Sequence, residues 1–240
     1  MHKQLQLATS KEDCEVELQI FTNSVQRLRV YGFDRLDVDR RYFDRNVDTV
    51  SNSTVLRFGC PLAPKDLEIK VETLEGQRTP VQFKTKINDL EKDFVLSKSI
   101  REFCEFAQEF STNYSKYPPK VKYKSRSGRF KIRHVPSIIG SKETPARIHK
   151  TKHFIEVSHE WFSKFTIPMR VFVLCHEFAH VYMNKRSTSE PEADVNGAKC
   201  YLSMGYPTIE LIYSFTKIFG DSPQTHMRAR NIVNWIKENG

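Results

Sequence analysis

The sequence has no long apolar run. None of its 240 residues opens a stretch approaching the roughly 18 apolar residues of a membrane span, and Met1 to Ser10 lacks the apolar core of a secretory signal. A place in the cytoplasm, with no membrane partner, is therefore expected. Cysteine is sparse: the five, at 14, 60, 104, 175 and 200, are odd in number and widely spaced, and none forms a C-x-x-C pair. That argues against a disulfide framework and favours a reducing compartment. Internal repeats and low-complexity tracts are missing as well. The Asp-rich stretch holding Asp34, Asp37, Asp39, Asp44 and Asp48 lacks the glycine of a calcium loop, and its interspersed arginines point to surface ion pairs instead. Acidic residues vanish altogether between Glu109 and Glu143.

What is present is concentrated between Ile167 and Asp194. Val171, Leu174, Cys175, Phe178 and Tyr182 recur at helical spacing, while Val173, His176, Glu177 and His180 fall on another face. His176 and His180 are thus one helical turn apart inside an H-E-x-x-H sequence, so both imidazoles can meet one metal ion. Zinc is the expected cofactor. Glu177, adjacent to the first histidine, lies beside the metal and is the candidate general base, positioned to take a proton from a metal-activated water. Amide hydrolysis is the chemistry such a set performs.

A third ligand is required, and Glu190-Pro191-Glu192-Ala193-Asp194 supplies the next acids. If Ser189 caps a second helix with Pro191 in its first turn, Glu190 and Asp194 share a face with Ala193 and Gly197. Glu190 then completes the site, and Asp194 accepts the other N–H of His176. Gly197 lets the two helices approach closely. Glu192 stays open as an alternative ligand or as a solvated first-turn acid. Cys175 and Cys200, soft ligands in principle, are read as core residues. Tyr201, on the face of Asp194, is a candidate for steadying an oxyanion, with packing as its other reading.

With Glu190-x-x-x-Asp194 after His176-Glu177-x-x-His180, the chain resembles the gluzincin metallopeptidases, defined by H-E-x-x-H followed by E-x-x-x-D. The E-x-E-A-D wording is most similar to the CaaX prenyl protease and heat-shock membrane protease branch, over roughly residues 94–237. Thr225-His226, with Arg228 and Arg230 after it, is similar to that branch's Thr-His-Pro segment and implies that His226 sits near the zinc. Here Met227 replaces the proline, and only nine residues separate His180 from Glu190, fewer than in most gluzincins. The membrane spans of that branch are missing.

The fold expected is α+β. Residues 1–90 read as an antiparallel β domain, from EVELQIF, QRLRVYGF, TVLRFG, LEIKVETL and TPVQFKTKI separated by Asn, Asp, Gly and Pro. Val38 to Asn52 reads as a long exposed loop or irregular edge that contacts a partner. Residues 91–240 read as a zincin-like domain: an amphipathic helix over Ile100 to Phe110, a twisted sheet, the metal helix and further helices. The sheet would comprise a basic hairpin and His153 to Ser158. If that last strand is an edge, it offers an extended peptide or protein substrate a place to pair. The hairpin turns at Ser125-Arg126-Ser127-Gly128 and carries Lys116, Lys120, Lys122, Lys124, Arg126, Arg129, Lys131 and Arg133. Against a formal charge of +9, this patch reads either as a solvated face or as a contact for an acidic partner or nucleic acid. His134, His149, His153 and His159 lack ligand spacing and read as surface or core residues.

Two functions follow. One is a soluble zinc endopeptidase with His176, His180 and Glu190 on the metal. The other is a structural or docking protein on the same fold, assembling through its β domain. A small basic zincin of this form also resembles products of bacteriophage genomes, virion parts included.

Overall fold

In the computed structural model the described residues are 2–9, 13–50, 52–74, 80–90, 96–140, 144–184 and 189–239. The chain is mixed α+β and divides into two compact units, Met1–Leu90 and Glu91–Gly240. No helix among the described residues is long and apolar enough to cross a membrane.

The first unit holds β1 (His2–Ala8), β2 (Cys14–Thr22), β3 (Arg27–Asp34), β4 (Asp37–Asp48), β5 (Asn52–Cys60), β6 (Asp66–Thr73) and β7 (Val81–Asp89). They form two antiparallel sheets, ordered β1-β6-β3-β4 and β5-β2-β7. Alternation sends Cys14, Val16, Leu18, Ile20 and Thr22 of β2 inward, because successive side chains of a strand leave opposite faces. Phe43 of β4 stacks on Phe58 of β5 at 4.7 Å, joining the sheets.

The stretch expected as a loop or irregular edge is largely β4, an edge strand with register shifts opposite Gly32, Phe33 and Asp34. It is polar because only Tyr42 and Phe43 enter the core. Its acids and arginines pair as expected, Arg29 with Asp44 at 3.0 Å and Arg40 with Asp34 at 2.7 Å. The half-exposed Arg29–Asp44 pair contributes about 0–1 kcal/mol, whereas Asp34 is buried, so its pair with Arg40 is not the surface pair expected.

The second unit begins with α1 (Lys98–Thr112), capped by Ser97 and burying Phe103, Cys104, Phe106, Ala107 and Phe110. A single 3-10 turn follows at Tyr114–Lys116. Next come β8 (Lys122–Lys124), β9 (Lys131–Val135), β10 (Ala146–His149) and β11 (Phe154–Ser158), in a sheet ordered β10-β11-β9-β8. Only the β11–β9 pairing is parallel. The expected hairpin is β8–β9, its turn formed with Gly128 at φ +72° and held by Glu102 of α1, whose Oε1 accepts from the Ser125 and Ser127 hydroxyls. The His153–Ser158 strand is not an edge: β11 lies inside the sheet, and the short β10 takes the edge position.

The short α2 (His159–Phe162) leads into α3 (Ile167–Tyr182), then α4 (Glu190–Leu202), α5 (Thr208–Phe219) and α6 (Pro223–Asn239). Helix α3 is buried nearly all round, from Ile167 through His176, where a single apolar stripe was expected. It is central, packed by α1, α4 and α5 and by β10 and β11. Its polar residues are therefore held in place by surrounding structure.

Candidate metal centre

Helix α4 is started by Ser189, whose hydroxyl accepts from Glu192 N at 3.3 Å, with Pro191 in the first turn where its missing N–H costs little. This start sets Glu190 and Asp194 one turn apart on the side facing α3. Gly197 fixes how near the helices lie. A Cβ there would fall 3.0 Å from His176 Cα and 3.1 Å from His176 N, so any larger residue would push the helices apart.

Across that contact His176, His180 and Glu190 bring one ligand atom each within 4.8 Å of one another. The two Nε2 atoms are 3.2 Å apart. Glu190 straddles them, Oε2 at 3.3 Å from His176 Nε2 and Oε1 at 3.4 Å from His180 Nε2. A tetrahedral ion with bonds of about 2.0–2.1 Å has ligand-to-ligand edges of about 3.3 Å. The donor set therefore fits zinc in type and in spacing. Of the two candidate acids, Glu190 is in this cluster, and Glu192 is exposed and outside it.

Behind the cluster, Asp194 is buried with Oδ1 3.1 Å from His176 Nδ1. It is gripped by Arg228 of α6, whose Nε and Nη2 donate to its two oxygens at 2.7 and 2.8 Å. Arg228 Nη2 also donates to Glu190 Oε2 at 3.2 Å, and its guanidinium lies 4.5 Å above the Phe219 ring. Burial disfavours a charged His176, but Asp194 and Glu190 outweigh it and raise its pKa to about 9. The same two imidazoles hold Glu190 well below the ordinary carboxylate range. The Nδ1 atoms of His176 and His180 are both buried and neither makes a hydrogen bond of good geometry among the described residues, but that of His176 has the Asp194 carboxylate 3.1 Å away.

Glu177, partly buried, accepts a 2.8 Å hydrogen bond from Ile148 N of β10. Desolvation raises its pKa, opposed by His176 and by this N–H. A raised carboxyl pKa brings a general base nearer to neutrality. An open cavity of about 410 Å³ adjoins the cluster, lined by Lys150, Thr151, His153, His180 and Val181.

Other expected residues lie elsewhere. His226 is largely exposed and reaches Asp221 at 2.8 Å, so it is not beside the cluster; the side chain that segment sends inward is Arg228. Tyr201 is fully buried, stacked on Tyr206 at 4.4 Å and edge-on to Phe172, which makes it a packing residue. Cys175 and Cys200 are buried free thiols, like Cys104, with Cys200 Sγ 3.5 Å from Met183 Sδ. Of the basic hairpin, Lys122, Lys124, Lys131 and Arg133 are exposed on the strands, Lys120 and Arg126 are exposed outside them, and Arg129 turns to Ser99 Oγ at 2.8 Å.

Sequence reasoning missed a second polar cluster on α3. Arg170 is 1% exposed, donates to Phe162 O at 2.8 Å and Ser111 O at 3.2 Å, and lies 4.3 Å from the Tyr114 ring. Tyr114 Oη is 2.6 Å from His159 Nδ1, which in turn is 3.3 Å from His134 Nε2. A lone arginine in the apolar run IPMRVFVL was the available signal.

No protein family, curated protein or solved structure matches the chain.

Proposed function

We propose that this chain belongs to the metal-dependent hydrolases that bind their ion through two histidines and a glutamate. Within that class the reading is a gluzincin-type zinc endopeptidase on a zincin-like domain, acting on an extended peptide. The observation that carries it is the convergence of His176, His180 and Glu190 at zinc-like spacing, with Glu177 one residue along the same helix. The succession of helix, sheet, H-E-x-x-H helix and acid-bearing helix supports the zincin reading.

Zinc, when bound, supplies Lewis acidity and lowers the pKa of water to roughly 7. The residues of the chain do the rest. Arg228 fixes Asp194, and Asp194 faces His176 Nδ1, leaving the Nε2 lone pair for the ion. Glu177 takes the proton of the attacking water and passes it to the leaving amine nitrogen. Ile148 N–H holds that carboxylate beside α3 until substrate arrives. As the edge next to α3, β10 is the strand along which the peptide pairs.

Metal content and one substitution test this. The purified chain is expected to hold about one zinc per molecule, and Glu177→Gln to keep zinc and fold while peptide-library cleavage falls by about 10²–10⁴. Failure to take up zinc, or cleavage by the variant equal to the parent's, would sink the proposal. A docking role on the same fold is the second reading, favoured by the Ile148 N–H already occupying Glu177. It predicts zinc uptake without any cleavage by the parent.

A further inference from the structure

The sheet of the second unit has two unlike faces. Ile132, Ile148, Ile155 and Val157 are buried on the helix side. On the other side, register places Arg147 opposite Glu156, Glu156 opposite Arg133, and Arg133 opposite Lys122; one step along the hairpin, Lys124 faces Lys131. Glu156 is the single acid of the four strands. It already meets Arg147 at 2.8 Å, His149 at 3.4 Å and Arg133 at 3.5 Å, leaving a cationic excess on the face.

Like charges directly opposite one another destabilise a strand pair. Lys122 with Arg133 and Lys124 with Lys131 are two such pairs, and all four side chains are exposed. The kind of partner follows from what the face lacks. Protein interfaces centre on buried aromatic and apolar anchors. Here the aromatic on the face, Phe154, is only partly exposed and lies against the His149 ring at 4.3 Å. A phosphate backbone requires no anchor, only cations at regular intervals, and strands supply these about 4.8 Å apart across the sheet and about 6.8 Å apart along it.

We propose that this face, through Lys122, Lys124, Lys131, Arg133 and Arg147, binds nucleic acid by its phosphate backbone without reading bases. This site is separate from the metal cluster and does not depend on the peptidase reading.

Fluorescence anisotropy of the full chain with a short mixed-sequence DNA duplex, over a potassium chloride series, tests it. The expected plot of log affinity against log salt has a slope of about −3 to −4. Lys124→Glu with Lys131→Glu should lower affinity more than tenfold at low salt and flatten the slope by about 2. Lys217→Glu with Lys237→Glu, exposed positions on α5 and α6, changes net charge equally and should leave both nearly unchanged. Thermal melting checks that both variants fold. Absence of salt-dependent binding, equal loss in the two double variants, or tighter binding of poly-glutamate than of DNA would each overturn the assignment; the last would point to an acidic protein.

Discussion

Helix α3 contributes to two polar clusters that resemble one another in inventory and differ in consequence, the first through His176 and His180 and the second through Arg170 alone. In one, His176 and His180 bring ring nitrogens to 3.2 Å beside Arg228; in the other, His134 and His159 come to 3.3 Å beside Arg170. The third participant separates them. Glu190 and Asp194 accompany the first pair, whereas the second is surrounded by the Tyr114 hydroxyl and by the Tyr117, Phe162 and Ser111 carbonyls. His176 is accordingly raised to about 9, while burial lowers His134 to about 4 even though its Nδ1 meets Tyr117 O at 2.6 Å. Paired imidazoles alone do not make a cation site. Carboxylates convert such a pair into a receptor for positive charge, and neutral acceptors convert it into a structural tie.

The strongest way to break the comparison is to remove the second cluster's cation. Arg170→Met removes the guanidinium that donates to the Phe162 and Ser111 carbonyls, leaving Phe162 O with the Phe165 N–H, and is expected to destabilise by about 2–3 kcal/mol in urea melts while each folded molecule still takes up zinc. Lost zinc uptake in the folded variant would show that the clusters are coupled. Next is acid. Because His134 titrates lower in the folded chain (about 4) than in the unfolded (about 6.5), the unfolded state binds more protons in that window. The stabilising contribution is present above 6.5 and is lost as pH falls toward 4, up to about 3 kcal/mol. His134→Asn should flatten stability across that interval, and an unchanged slope would mean that a different group causes the loss. Smallest is the support of the first cluster. Asp194→Asn should weaken zinc affinity about 10–100-fold in a chelator competition on the folded variant, and also lower metal-free stability because it breaks the buried pair with Arg228. A variant that bound zinc as tightly as the parent would show that Asp194 does not brace the ligand His176.

Local patterns were readable in the chain itself. His176 with His180, and Glu190 with Asp194, are spaced within single helices, and the Ser189 cap is a local signal for where the second helix begins. Gly197 was legible because a glycine amid helical pattern asks for a close neighbour. Contacts made by packing were not legible. Arg228 reaches Asp194 across 34 positions, and His159 reaches His134 across 25, distances over which no periodicity carries information. Short or unevenly buried strands escaped as well. β10 is four residues long, and the polar β4 buries little beyond Tyr42 and Phe43. The place expected for His226 was implied only by the resemblance of Thr225-His226 to a Thr-His-Pro segment; the helix instead turns Arg228 toward Glu190 and Asp194 two positions later.

The contact at Gly197 ties the candidate centre to a single lever. Glu190 and Asp194 ride on one rigid rod, and the missing side chain at 197 sets how far that rod stands from His176. A methyl group there would shift both carboxylates together, opening the ligand triangle and withdrawing its brace in one movement. The spacing of the two carboxylates from the histidines is therefore set by whole-helix displacement rather than residue by residue, from a position that lies outside the cluster.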